Sequence, residues 1–419
     1  MKFSRKQMKM LFLFFCCLFY YSIVFKGTEI LSYFFYYVAP FIFCLMNYKT
    51  LIDVYENIKK TKLIFYIPIM VTIGILSLII PFIYGTFDFS YFSIRILQIV
   101  KESIKVLFLI VFYIKYISPE FDCVLFMKYF IVSTCIYVGF TTLTIIFPQL
   151  RELIISHLKL SNNEIRLLAQ ENYFTRFGWC GFSGFTFTLK STLSVIFSLY
   201  IIFVEQNKKI VLHIIFLIIS FLGNLYYGRI GLVCSSIIII LGIIYLFTIN
   251  IYLAKTILVY LLYTLLIFIL FILFSKKLQL WISWAFQFLL NFFQSGSFST
   301  SSTESLQNMY IIPNIKTLFI GDGFYSTSIG YYMNIDVGLL RPIYFGGILF
   351  QLLRYSTVVI CLKHLYDKKM KHNQIFIFMV FILFVFFEIK GESIFPIISI
   401  LFAVVCLFEL SSRSDDYDD

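Results

Sequence analysis

Charge is what this sequence has least of: only 13% of its 419 residues are Asp, Glu, Lys or Arg, about half the share in a soluble globular domain. That scarcity excludes two or three ordinary soluble domains with polar surfaces. Histidine is rare as well. The four (His157, His213, His364 and His372) are scattered with no His-x-x-x-His or Asp-x-Asp spacing, so no metal constellation is expected. There is no G-x-S-x-G elbow, which removes the signature of a serine hydrolase of the α/β type. Nine cysteines make no CxxC pair, and all but Cys180 fall within or beside apolar runs, where they read as packing residues. Internal repeats are absent too, which counts against an inverted-repeat transporter.

What is present is apolar sequence. The chain is 60% hydrophobic and 21% aromatic, with a mean hydropathy of +0.91. Uncharged runs of roughly 18 to 25 residues, each long enough to cross a bilayer, recur from end to end. About twelve are expected, at 8–25, 29–47, 63–85, 91–115, 123–147, 187–204, 210–227, 230–249, 252–274, 337–362, 374–389 and 393–410. Each must be helical, because an open strand in lipid leaves backbone groups without partners. The expected fold is therefore all-α, a polytopic transmembrane helix bundle forming one integral membrane domain over residues 1–419. The basic, apolar start lacks a small-x-small cleavage site and reads as a retained first helix.

A net charge of +12 can indicate nucleic acid, but here the cations sit in short clusters between apolar runs and read as orientation signals instead. Lys2, Arg5, Lys6 and Lys9 precede the first run, and Lys49, Lys59, Lys60 and Lys62 follow the second. Lys208 and Lys209 follow the sixth, and Lys363, Lys368, Lys369 and Lys371 follow the tenth. All four groups share the cytoplasmic side if the N-terminus is cytoplasmic, and the acidic tail Asp415 to Asp419 then lies there too. Two long connections, 148–186 and 275–336, then face outwards and carry the expected working surface.

Charged residues also stand where lipid disfavours them. The fourth run contains Arg95, Gln98, Glu102 and Lys105, which at 100° per residue form one polar stripe. The stripe reads either as an ion-pair ladder, with Arg95 and Lys105 bracketing Glu102, or as the wall of a polar cavity with Arg95 at its outer end. Three more arginines fall at outer boundaries: Arg176 in Thr175-Arg-Phe-Gly178, Arg229 in Gly228-Arg-Ile-Gly231, and Arg341 in Asp336-Val-Gly-Leu-Leu-Arg-Pro342. Cations held on the outer side point to an anionic partner, and the guanidinium fork suits diphosphate oxygens. The plainer readings are a helix cap for Arg229, an ion pair with Asp336 for Arg341 and a solvated loop charge for Arg176.

This layout resembles the bacterial O-antigen polymerase (Wzy-type) and O-antigen ligase superfamily of polytopic membrane glycosyltransferases. The likeness rests on Arg176-Phe-Gly178 leading through Phe182-Ser-Gly184 into a span, and on the Gly228-Arg229-Ile-Gly231 break between spans. It rests also on a late outer loop running from Phe319-Ile-Gly-Asp-Gly-Phe-Tyr325 to Asp336-Val-Gly-Leu-Leu-Arg341-Pro-Ile-Tyr-Phe-Gly-Gly347. No arginine lies between Phe288 and Tyr310, so the late-loop cation of this chain is Arg341 or Lys316. The resemblance implies an enzyme of the bacterial inner membrane that joins undecaprenyl-diphosphate-linked oligosaccharide repeats into O-antigen or capsule at the periplasmic face. It implies no cofactor, no metal, and a chain-length regulator as a partner besides the lipid bilayer. Under it, Arg176, Arg229, Arg341 and then Arg95 are the substrate contacts. Asp336, followed by Glu171 and Asp322, is the candidate base, and Tyr325, Tyr331 and Tyr332 are candidates to stack on sugar rings. A lipid-linked polysaccharide flippase or another twelve-helix transporter is the alternative.

Overall fold

The chain is described by a computed structural model covering residues 4–118, 121–170, 174–206, 209–273, 276–297, 299–327, 330–367 and 372–414. The cations Lys2, Lys208, Lys368, Lys369 and Lys371 and the tail Asp415 to Asp419 lie outside the described residues.

Each expected apolar run contains a helix. In chain order these are α1 (Arg5–Tyr20), α2 (Glu29–Met46), α3 (Lys62–Ile83), α4 (Leu97–Tyr116), α5 (Cys123–Ile146), α6 (Phe185–Glu205), α7 (Ile210–Tyr227), α8 (Arg229–Ile249), α9 (Ile251–Leu273), α10 (Arg341–Asp367), α11 (Asn373–Lys390) and α12 (Ile394–Ser414). Among the described residues nine of them are long and apolar enough to cross a membrane. This is an all-α, multi-pass membrane protein. The other three fall short for separate reasons. α1 has only 16 residues, α4 carries Lys101, Glu102, Lys105 and Lys115, and α9 is an apolar helix over the shorter stretch Ile251–Leu266. Sheet among the described residues is confined to one hairpin, β1 (Phe177–Gly178) and β2 (Gly181–Phe182).

The chain divides into two compact units. The first comprises residues 1–133, 309–373 and 387–419. Here α1 packs on α4 through Phe12, whose ring lies 5.9 Å from Phe112 and 5.4 Å from Tyr113. Lys105 reaches from α4 to Glu102 (2.8 Å) and Ser22 (3.0 Å), which pays part of the cost of burying an ammonium. At one end of this unit, Lys62 at the start of α3 pairs with Asp367 at the end of α10 (3.1 Å), and Lys115 at the end of α4 donates to Asn47 beyond α2 (2.5 Å).

The second unit comprises residues 134–308 and 374–386. α6 is buried almost throughout, and its Ser and Thr positions let neighbours approach closely. Ser194 and Ser220 are 2.8 Å apart, Thr192 donates to Asn224 (3.0 Å), and a Cβ on Gly223 would lie 2.5 Å from Ser191 Oγ.

In the first unit α10 is broken at Gly347, where φ is 76° and ψ is −179°, a region essentially reserved for glycine. The break takes the Tyr344 and Phe345 carbonyls out of the helical ladder, and the late loop supplies new donors, Asp322 N (2.7 Å) and Gly323 N (3.1 Å). A Cβ on Gly347 would sit 2.2 Å from the Phe319 carbonyl oxygen. Gly347→Ala is therefore expected to cost about 1–3 kcal/mol from the backbone conformation alone, with the clash in addition. It should lower the melting temperature in detergent well below that of Gly139→Ala, whose Cβ would meet nothing within 4 Å.

Candidate functional site

In the first unit a charged cluster forms where the start of α4, the late loop, α10 and the α11–α12 turn meet. α4 is entered through a π-helical turn, Phe92–Ile96, which holds more residues than an α turn and so rotates Arg95 relative to the helix that follows. Arg95 Nε donates to the Tyr325 hydroxyl (2.5 Å), and Nη2 lies 3.3 Å from Glu392 Oε1. Tyr325 is placed by Asp88, whose Oδ2 accepts from the amides of Tyr325 (2.6 Å) and Ser326 (2.9 Å). Burial raises the Asp88 carboxyl, but these bonds and those to Ser90 outweigh it and hold its pKa below the ordinary value.

Glu392 is the hub. It sits in the short turn between α11 and α12 with its side chain 1% exposed. Oε1 accepts a short hydrogen bond from the Tyr325 hydroxyl and lies 3.8 Å from Arg341 Nη1; Oε2 lies 3.3 Å from Arg354 Nη2. Burial raises its pKa, yet Arg95, Arg354, Arg341 and the Tyr325 hydroxyl together hold the carboxyl below the usual range. The turn is fixed by close backbone approach. A Cβ on Gly338 would lie 2.4 Å from the Gly391 oxygen, and Leu339 N donates to Glu388 O (3.1 Å). Glu388 Oε1 in turn accepts from Ser393 N (2.6 Å) and Oγ (2.9 Å).

Arg341 is almost fully buried, its guanidinium carbon 3.7 Å from the ring centroids of both Tyr325 and Tyr331. Among the described residues its Nε, Nη1 and Nη2 have no hydrogen-bond partner, although Nη1 lies within ion-pair range of Asp336 Oδ1 (3.7 Å). Asp336 is the most open of the cluster's carboxyls, with 45% of its side-chain surface reachable by solvent. The protein packed around the carboxyl nevertheless pushes its pKa up to about 6. Glu392 adds to the rise, while Arg341, Arg95 and Lys390 oppose it. Arg354 is fully buried, with Nη1 bonded to Gln351 and Nη2 3.9 Å from Glu388 Oε1.

The second unit holds a different pair. Arg176 precedes the β1–β2 hairpin, and its carbonyl accepts from Ser183 N (2.9 Å). Arg229 opens α8. Both guanidiniums lie over Trp284, in the helix Lys276–Ala285, at 5.1 and 4.3 Å from its ring centroid, and Arg229 Nη2 donates to Gln287 (3.0 Å). Gly231 supports the close packing here, since its Cβ would lie 2.0 Å from Thr188 Cγ2.

The structure thus joins Arg95, Arg341, Asp336 and Tyr325 in one site, and Arg176 with Arg229 in another. Asp322 is placed apart, accepting from Thr317 Oγ1 (2.7 Å) and the Tyr332 hydroxyl (3.4 Å). Glu171 lies outside the described residues. Tyr325 and Tyr331 flank Arg341, whereas Tyr332 stacks on Phe324. Arg95 faces Glu392 and not Glu102, because the π turn takes it off the stripe that uniform α-helical spacing implies. Glu392, Glu388 and Arg354 belong to this charged cluster as well, although no sequence motif singles them out. Arg354 inside the tenth apolar run was the available signal, since an arginine there calls for a nearby carboxylate. Among the described residues no group of three or more His, Cys, Asp or Glu side chains is arranged to hold a metal ion. Compared with known proteins, the chain matches no protein-family model, no curated protein and no solved structure.

Removing Arg354 takes from buried Glu388 the cation facing it and from Glu392 one of three, a loss of about 3–5 kcal/mol for a broken buried ion pair. Arg354→Met should therefore melt far below the wild type in detergent, and adding Glu388→Gln should recover part of the loss. An unchanged melting temperature in the single variant would remove the ion pairs as a stabilising element.

Proposed function

We propose that the protein is a membrane glycosyltransferase that polymerises undecaprenyl-diphosphate-linked oligosaccharide repeats at the periplasmic face of the bacterial inner membrane. The observation that carries this reading is Arg341, a buried guanidinium whose three nitrogens lack hydrogen-bond partners, 3.7 Å from the half-open carboxyl of Asp336. One group can receive charge developing on a departing diphosphate, and the other can take a proton from an attacking hydroxyl. Both needs belong to glycosyl transfer from a lipid diphosphate.

In the reaction, a hydroxyl oxygen at the non-reducing end of one lipid-linked repeat attacks C1 of the sugar at the reducing end of the growing chain. The C1–O bond to the diphosphate breaks, its electron pair passes to the leaving undecaprenyl diphosphate beside Arg341 and Arg95, and the hydroxyl proton passes to Asp336. The product is a chain longer by one repeat on the acceptor lipid. Arg176 and Arg229, with Trp284 between charge and aromatic surface, are assigned to binding diphosphate or sugar chain. The periplasmic assignment is supported by alternation. Counted from a cytoplasmic N-terminus, the start of α4, the start of α10 and the α11–α12 turn all fall outside, and these are the ends that meet at Glu392.

The transporter reading retains one specific support, the ion pair of Arg354 with Glu388 inside the helices α10 and α11, since transporters keep charges at depth. Expression in a strain lacking its own polymerase separates the two. A polymerase restores long surface polysaccharide, whereas a flippase leaves the single-repeat phenotype unchanged. Arg341→Lys, Arg176→Lys and Arg229→Lys keep the charge but lose the fork, and each should shorten the chains while the protein still accumulates in the membrane. Wild-type lengths in all three would sink the assignment.

The pH dependence has a defined sign. Asp336 must be ionised to accept a proton, and its pKa is pushed up to about 6. Extension in proteoliposomes, using lipid-linked repeats isolated from the polymerase-deficient strain, should therefore fall as pH drops through about 6. Asp336→Asn should be inactive across the range, and full activity in that variant would transfer the base role elsewhere.

A further inference from the structure

Glu392 has no part in the chemistry just described, yet more of the site converges on it than on any other residue named above. Its partners come from four separate stretches: Arg95 from the π turn before α4, Tyr325 from the late loop, Arg341 from the start of α10, and Arg354 from beyond the break at Gly347. Its two oxygens divide the work. Oε1 faces Arg95, Tyr325 and Arg341, and Oε2 faces Arg354. We propose that Glu392 is the positioning residue of the site, a buried carboxylate that gathers three guanidiniums and so fixes where Arg341, whose buried nitrogens make no hydrogen bond among the described residues, meets a diphosphate-class anion. This rests on the polymerase reading.

The turn that carries Glu392 suits the role. Close packing of Gly391 against Gly338 and the bonds from Ser393 to Glu388 leave the carboxylate little freedom to follow a moving partner. Arg341 lies within ion-pair range of only two carboxylates among the described residues, Glu392 and Asp336. When Asp336 takes up the acceptor proton, it stops balancing Arg341 at the moment the leaving diphosphate needs that guanidinium. Glu392, far less open to solvent, keeps its charge and its grip through that step.

The test measures extension by the full-length protein in proteoliposomes, with lipid-linked repeats from the polymerase-deficient strain, for wild type, Glu392→Asp and Glu392→Gln. Glu392→Asp keeps the charge but withdraws it by one methylene. It should accumulate normally and keep the wild-type pH midpoint, yet extend chains about a hundredfold more slowly, the scale of loss for a displaced catalytic geometry. Glu392→Gln should slow extension and also move the acid limb to lower pH, because loss of a neighbouring negative charge favours the ionised Asp336. A residue acting through its charge alone would also move that limb, so the slowed extension of Glu392→Asp at an unchanged midpoint is the reading specific to positioning. If Glu392→Gln fails to accumulate, Glu392→Asp decides alone. Wild-type extension rates in Glu392→Asp would reduce Glu392 to a counterion and overturn the inference while leaving the polymerase reading intact. Failure of the wild-type protein to extend chains at all would overturn the polymerase reading itself.

Discussion

Burying a guanidinium in a membrane protein requires a counter-charge at short range, and in the first unit one carboxylate, Glu392, is shared by three of them, with Asp336 and Glu388 beside it. Two unit charges 3.3 Å apart, the Glu392 distance to both Arg95 and Arg354, attract by about 5 kcal/mol at an effective dielectric near 20. Withdrawing each ion from water costs several kcal/mol, so an isolated pair gains little. One carboxylate facing three cations changes the balance, because four desolvations are set against three attractions, where an isolated pair sets two against one. The Tyr325 hydroxyl and Ser393-bound Glu388 complete the network with hydrogen bonds. A network of this kind is costly to leave half made, so the segments that supply it are under strong constraint to arrive together.

Two departures from regular helix and one close contact between turns deliver those segments. The π turn before α4 turns Arg95 toward the late loop. The break at Gly347 frees two carbonyls that anchor Asp322 and Gly323, and with them the stretch leading to Tyr325. The contact between Gly338 and Gly391 brings the approach to α10 against the α11–α12 turn. Each irregularity would weaken a helix bundle built for stability alone. Together they converge on one cluster, which is how local strain is distributed when a site and not the fold requires it.

Much of the helix layout was legible because apolar runs long enough to cross a bilayer have few alternatives to helix. The pairing of Arg341 with Asp336 was legible for a similar reason, the two lying five residues apart across a helix start. The π turn was not, since periodicity arguments assume one residue spacing throughout, and Arg95 left the Gln98–Glu102–Lys105 stripe at that point. Glu392 was hidden in a different way. A lone glutamate in a Lys-Gly-Glu-Ser turn between two apolar runs looks like any solvated loop charge, and only the tertiary fold reveals that it is buried. Arg354 was the missed clue, because an arginine inside an apolar run has to find an anion. The acidic residues Glu388 and Glu392, beside the following loop, were the nearest candidates at that depth of the sequence. The Arg176, Arg229 and Trp284 grouping depended on a tryptophan in a connecting helix, with no spacing rule to link it to either arginine.

Aromatic rings cover arginines in both units, and the planarity of the guanidinium explains the arrangement. A guanidinium presents two flat faces, which rings can cover, and an edge that carries all of its N–H donors. In the first unit carboxylates face the edge of Arg341 and tyrosines cover its faces, whereas in the second unit Gln287 meets the edge of Arg229 and Trp284 its face. Tyr325 and Tyr331 cover Arg341 at 3.7 Å each, while its nitrogens make no hydrogen bond within the protein. The side chain is thus immobilised through the surfaces that an anion does not use. A second carboxylate in bidentate contact would have fixed Arg341 as firmly and consumed the donors in doing so. Placing Glu392 at 3.8 Å, beyond hydrogen-bond distance, balances the charge without consuming a donor.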